Sequence, residues 1–271
     1  MQDFQTLEHL VTQLLYQSRL SHLHELSLTS SNPLTSSPAS PPIKIFSQND
    51  EDGIISRIFH KLNNNCSGTF LEFGVDKKME CNTLALLYAG WKGVWVDQSK
   101  HPIPDENPRL KILHKWVSLE AMSQIFDEVT SFLQSNNLDF LSIDLDGNDI
   151  YILDWLLQRV QPKVICVEYN GHYIPPARFS VEYNPDFKMT GDFYGSSLQS
   201  FVDKLSDTYT LVATNLTGVN AFFVKEEFAK YFPDSNKPVI DLYTPPRYYS
   251  SDFERIHPVA SESLKNALGY Q

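Results

Sequence analysis

The residues best suited to chemistry are acids that close two apolar runs. Asp144 and Asp146 end LDFLSIDLDG (residues 138–147), and Glu168 ends KVICVEY (163–169). Both runs read as buried strands, and in an open parallel sheet the carboxyl ends of such strands form the rim where ligands sit. Strand residues alternate faces, so Asp144 and Asp146 are expected to point the same way, with Asn148 and Asp149 placed to cap the next helix. Three acids at two neighbouring strand ends must share protons, face water or meet a cation. Two chemistries stay open: a hard divalent cation such as Mg²⁺ held by Asp144, Asp146 and Glu168, or acid/base work in which one of them or His172 takes a hydroxyl proton.

A second constellation lies upstream in TFLEFGVDKKMECNT, residues 69–83. It reads as a short strand, a turn at Gly74, a polar loop and then a helix over 84–88. Glycine lets a backbone approach a ligand closely, and the helix that follows offers unpaired N–H groups. GVWVD (93–97) reads as another strand that ends in an acid, Asp97, about twenty residues beyond Gly74, where folds of this kind bind ribose hydroxyls. Together these features outline an adenosine pocket; an ordinary strand-to-helix turn is the plainer alternative for Gly74.

These residues must be positioned by elements that alternate along the chain. Residues 47–62 form a helical pattern with Ile54, Ile55, Ile58, Phe59 and Leu62 on one face and Asp50, Glu51 and Asp52 in the first turn, either as a capped start or as a polar end turned to the ligand. Further strands are expected at 109–118, 138–147 and 163–169, with helices at 119–133, 148–160 and 196–205. Residues 210–214 and 220–225 are joined only by a short turn containing Gly218, which makes them antiparallel. The expected fold is α/β, Rossmann-like: a mostly parallel sheet of seven strands, closed by an antiparallel hairpin, with helices on both faces.

Outside this core, residues 1–26 carry Leu7, Leu10, Val11, Leu14, Leu15 and Leu20 at helical spacing, an amphipathic stripe that needs an apolar seat or a second copy of the chain. Residues 27–42 are Ser/Pro-rich and read as a linker, which places the folded domain at 43–271. With 271 residues and 42% hydrophobic content the chain can bury one sizeable core. A net charge of −11 disfavours nucleic acid or an anionic membrane as partner and fits a small-molecule or glycan acceptor. Cys66, Cys81 and Cys166 have neither disulfide nor zinc spacing, which suggests a reducing, cytoplasmic setting, and no run is long and apolar enough to span a membrane.

Taken as an ordered set, SQNDEDGII, FLEFGV with ECNT, GWKGVWVD, LSIDLDGND, VICVEYN, YGSSL and GVNAFFV resemble the FkbM-like branch of class I S-adenosylmethionine-dependent methyltransferases over residues 47–224. The resemblance implies O-methylation of a sugar hydroxyl or similar acceptor, with S-adenosylmethionine as cofactor. It implies that Gln48, Glu72, Gly74, Asp76, Glu80 and Asn82 contact the cofactor, that Asp97 accepts from both ribose hydroxyls, and that Asp144, Asp146, Glu168, His172 and Tyr194 line the reacting end. The sequence departs from the family where Asp76-Lys77-Lys78 replaces small residues after Gly74, which puts positive charge near a sulfonium cation. A relative that keeps the fold as a binding or scaffold protein without cofactor is the alternative. A nicotinamide-dependent oxidoreductase fits less well, since no G-x-G-x-x-G fingerprint is present.

Overall fold

The computed structural model describes residues 38–39, 41–63, 67–75, 80–99 and 107–247. The N-terminal stripe, most of the linker, Asp76, Lys77, Lys78, Cys66 and the end of the chain lie outside the described residues.

The core is a sheet of seven strands in the order β3-β2-β1-β4-β5-β7-β6. These are β1 (Thr69–Phe73), β2 (Lys92–Asp97), β3 (Leu110–His114), β4 (Phe140–Ile143), β5 (Val164–Glu168), β6 (Tyr209–Thr214) and β7 (Asn220–Lys225). β1 to β5 are parallel; β7 runs antiparallel to β5, and β6 pairs antiparallel with β7. The alternating strand and helix pattern and the closing hairpin are as the sequence predicts.

Helices cover both faces, so the central strands read as nearly continuous apolar runs. On one face Leu71, Phe73, Val94, Val96, Leu141, Ile143, Ile165 and Val167 pack against α3 (Met122–Leu133), α4 (Asp149–Leu157) and α5 (Leu198–Leu205). On the other, Phe70, Trp95, Phe140, Cys166 and Phe222 meet α1 (Glu51–Lys61) and α2 (Leu84–Tyr88). The alternation Phe70/Leu71/Glu72/Phe73 therefore puts Glu72 on the α1–α2 side, a polar group among aromatic rings that has to be hydrogen-bonded to be tolerated. Two short 3₁₀ turns and α6 (Val239–Leu242) complete the described chain beyond the hairpin. No described helix is long and apolar enough to cross a membrane.

Three local expectations need correction. Strand β4 stops at Ile143, and Asp146 sits in a turn with φ +57°, so a turn rather than strand alternation carries Asp146 toward Asp144. Asn148 and Asp149 make no side-chain cap on α4: Asp149 instead accepts from the N–H groups of Leu145 (2.8 Å) and Gly147 (3.0 Å), because the tight turn left those donors unsatisfied. The first-turn acids of α1 are neither a cap nor turned to a ligand. Asp50 accepts from Leu216 N–H (3.2 Å), Glu51 from the side-chain amides of Asn215 (2.7 Å) and Asn220 (3.1 Å), and Asp52 from the N–H groups of Ile45, Phe46 and Ser47 (2.8 Å each). The helix is thereby fastened to the β6–β7 turn and to the strap that precedes it.

Candidate active site

Parallel strands ending at one edge leave a crevice, and here it is a cavity of about 870 Å³ above the ends of β1, β2 and β4. Gly74, Asp97, Asp144 and Asp146 form its floor, Gln48 and Glu80 one flank, and Trp116 with Phe187, Lys188 and Met189 another.

Gly74 makes the floor possible. Its φ is +81°, and a Cβ there would lie 1.6 Å from the carbonyl oxygen of Asp144, so no other residue fits without moving the end of β4. Its N–H donates to Val96 O (3.1 Å) while Asp144 N–H donates to Phe73 O (3.2 Å), which draws the three strand ends together. At the end of β2, Asp97 Oδ1 accepts the Ser99 N–H at 2.5 Å, fixing its carboxylate at the cavity edge. Lys115 also lines the cavity but is paired with Glu128 at 2.5 Å.

Glu72 and Asn82 stand in the wall and are not among the residues lining the cavity. Glu72 accepts from Asn82 N–H (2.7 Å), from Thr83 N–H (3.1 Å) and from the Thr83 hydroxyl, which in turn accepts from Trp95 Nε1 (2.7 Å). Asn82 Nδ2 donates to Ser142 Oγ (3.1 Å), tying the entry of α2 to β4. Burial raises the Glu72 carboxyl to about 7, against hydrogen bonds that favour its charged form. Its place in the structure is that of a brace for the entry of α2.

Asp144, Asp146 and Glu168 do converge, each offering an oxygen within 4.8 Å of the others. Asp144 and Glu168 are half-buried and Asp146 is exposed. Burial raises the Asp144 and Glu168 carboxyls well above the usual range, and the neighbouring charges raise them further. With both carboxyls raised, the pair favours the state in which at least one of them holds a proton. Oxygen-only donors at this spacing also suit a hard divalent cation, which would have to displace that proton.

The remaining expected residues lie elsewhere. His172 and Tyr194 are buried, 8% and 3% exposed, and neither lines the cavity. They belong to the base of the loop over 169–197, where Asn170 accepts from His172 N–H (3.0 Å) and donates to Asp192 O (2.7 Å) and Tyr194 O (3.0 Å). That loop is pinned along the rim by Asn148 Nδ2 to Asn184 O (2.7 Å), Tyr151 hydroxyl to Val181 O (2.8 Å) and Trp116 Nε1 to Pro185 O (2.7 Å). Phe187 to Met189 reach the cavity from it. Sequence reading missed these residues; Trp116 fell inside the strand expected at 109–118, whereas β3 stops at His114 and leaves the indole free to reach the loop.

No protein-family model matches the chain, and no curated protein is significantly similar to it in sequence. Among solved structures, it is similar to a ribosomal RNA methyltransferase from Plasmodium falciparum (10% identity, TM-score 0.39, covering 63% of this chain and 92% of that one). It is also similar to an O-methyltransferase from Bacillus cereus in complex with SAH (16% identity, TM-score 0.40, 77% and 91% covered). A third is the MycE methyltransferase of mycinamycin biosynthesis, in complex with Mg, SAH and mycinamycin VI (14% identity, TM-score 0.35, 63% and 44% covered). These likenesses are too distant to carry a functional argument.

Proposed function

We propose that the chain is an S-adenosylmethionine-dependent methyltransferase of the FkbM-like type that methylates a hydroxyl of a sugar, glycan or similar small acceptor. The observation that carries this reading is the convergence of Gly74, Asp97 and Asp144 at the ends of three adjacent strands on one cavity of about 870 Å³.

The residues present fit the cofactor. Asp97 Oδ1 is engaged by Ser99, which leaves Oδ2 to accept from the ribose. Gly74 lets the ends of β1 and β4 close up beneath the chain that would link ribose to sulfonium, and Glu80 and Gln48 offer polar groups on the cavity's flank. When bound, the cofactor supplies an electrophilic methyl group. The chain's own contribution is alignment, which places the acceptor oxygen in line with methyl carbon and sulfur, with Trp116, Phe187 and Met189 offering apolar contacts at the cavity wall.

Asp144, Asp146 and Glu168 provide the acceptor's proton sink. Carboxyls whose oxygens lie within 4.8 Å of one another, with their affinity for protons raised by burial, suit uptake of a hydroxyl proton. Were a divalent cation held there, Asp144, Asp146 and Glu168 would be its ligands, and it would lower the acceptor's pKa. The two variants separate in solution. Titrating the full chain with Mn²⁺ should show saturable binding that Asp146→Asn weakens about ten-fold, if the site takes a metal. If Mn²⁺ does not bind, the carboxyl pair acts alone and transfer should be indifferent to chelator. Chelator-sensitive transfer without Mn²⁺ binding at this trio would remove it from the mechanism.

A further inference from the structure

Three of the large apolar side chains that the described residues leave exposed gather at one place. Trp116 is 47% exposed, Met189 42% and Phe193 45%, and all three lie on the loop over 169–197 or are bonded to it. Trp116 and Met189 line the cavity of about 870 Å³ together with Phe187, and Phe193 stands beside Phe187 with ring centroids 6.4 Å apart. The floor of that cavity is acidic, at Asp97, Asp144 and Asp146, so one site passes from charged floor to apolar wall. An exposed apolar patch continuous with a concave site is the mark of a binding groove.

The patch is built to stay where it is. A Cβ on Gly147 would lie 2.3 Å from the Phe187 ring, so that ring is seated on the turn that carries Asp146. Asn184 O accepts from Asn148 Nδ2 (2.7 Å) and from Phe187 N–H (3.0 Å), which ties the start of the segment to the entry of α4. Phe193 N–H donates to Thr190 O (3.0 Å) across a tight turn at Gly191, whose φ is +58°. Behind Phe193 stands Phe179, edge-on at 5.6 Å and itself stacked on buried Tyr173 at 3.9 Å. Trp116 is fixed through its indole N–H to Pro185 O (2.7 Å). Exposed rings that are already immobilised lose little side-chain entropy when a ligand packs on them.

Because Phe187 rests on the Asp146 turn, a molecule that brings a hydroxyl to the acids lies against that ring. A bare sugar would leave the apolar wall wet, and three of its four side chains are aromatic, which favours a stacked or edge-to-face ring as the partner. We propose that Trp116, Phe187, Met189 and Phe193 form a lip that holds an apolar ring substituent of the acceptor beside the hydroxyl that is methylated. This rests on the methyltransferase reading of the cavity and narrows its acceptor to aryl glycosides or hydroxyls carried next to comparable rings.

Ligand-observed NMR titration of the full chain saturated with S-adenosylhomocysteine tests this, with paired methyl and phenyl β-glycosides of glucose and galactose as probes. At least one phenyl glycoside should bind about ten-fold more tightly than its methyl partner, as burial of one ring predicts. The paired change Met189→Ser with Phe193→Ser, both at exposed positions, should remove that preference while S-adenosylhomocysteine affinity stays within about two-fold. Pairs bound alike, or not bound at all, would overturn the proposal, and so would a preference that survives the paired change. A larger fall in S-adenosylhomocysteine affinity would overturn it as well, by placing the lip over the cofactor. Failure of the underlying reading shows separately: the unaltered chain would then bind no S-adenosylhomocysteine before any glycoside is added, and the lip would lose its acceptor with it.

Discussion

At the scale of single residues, the site depends on a division between groups that face the cavity and groups that hold those in place. Gly74 belongs to both classes, because the space it leaves is filled by the backbone of Asp144. Gly74→Ala should therefore cost about 3 kcal/mol or more of unfolding free energy in denaturant titration, combining positive-φ strain with a backbone clash. A loss under about 1 kcal/mol would mean that the strand ends are not packed as described. Asp97 and Gly74 were legible in the sequence because strand, turn and acid follow one another at a spacing set by a local supersecondary unit. Glu72 was legible as important and illegible as a brace: its partners, Asn82 and Thr83, return to it only after a loop whose path no spacing rule fixes. His172 was drawn to the site by its place just past the end of an expected strand and Tyr194 by motif, and they lie off the cavity because Asn170 folds their loop back on itself.

At the scale of elements, helix α1 shows how a sequence signal can be read correctly and assigned to the wrong purpose. Acids in a first turn suit the helix dipole, and that reading located the helix. Their carboxylates nevertheless serve as bolts to the β6–β7 turn, a contact across more than 160 positions of sequence that no local pattern records. This has a pH consequence. Burial, and next the charge of Glu51, raise the Asp50 carboxyl from its usual value to about 8. A folded-state value above the unfolded one means that the stabilising contribution is complete below about 4 and is lost as pH rises through about 8. Asp50→Asn keeps an acceptor for Leu216 N–H and carries no charge. Its melting temperature should exceed that of the unaltered chain at pH 8.5 and the gap should shrink by pH 5.5. A gap that grows toward acid would show that Asp50 is held charged. The existence and order of the strands were legible, since burial on both faces leaves uninterrupted apolar runs; the ends of β3 and β4 were overrun by about four residues, as at β4, where a turn of Leu, Asp and Gly follows once the pairing has stopped.

At the scale of the whole molecule, the sheet order and the two helical layers were legible because alternation of strand and helix leaves few topologies once crossovers are right-handed. The roof of the cavity was not, because it is built by a loop over 169–197 that carries only isolated bridges and is held by side chains from the exit of β3 and the start of α4. The same separation predicts that deleting residues 1–37 leaves cofactor affinity within about two-fold, since Gly74, Asp97 and Asp144 are all fixed by the sheet. A deleted chain that folds yet loses the cofactor would place the N-terminal segment in the site.

The central claim is that the rim of β1, β2 and β4 holds S-adenosylmethionine, and titration calorimetry of the full chain with that cofactor tests it most directly. The expected result is a single saturable site whose affinity falls about ten-fold or more in Asp97→Ala, since losing a charged acceptor to two hydroxyls costs roughly 1.5 to 3 kcal/mol. Absence of binding in the unaltered chain would contradict the claim and leave a Rossmann-like fold serving as a binding protein, and binding that is indifferent to Asp97→Ala would place the cofactor elsewhere.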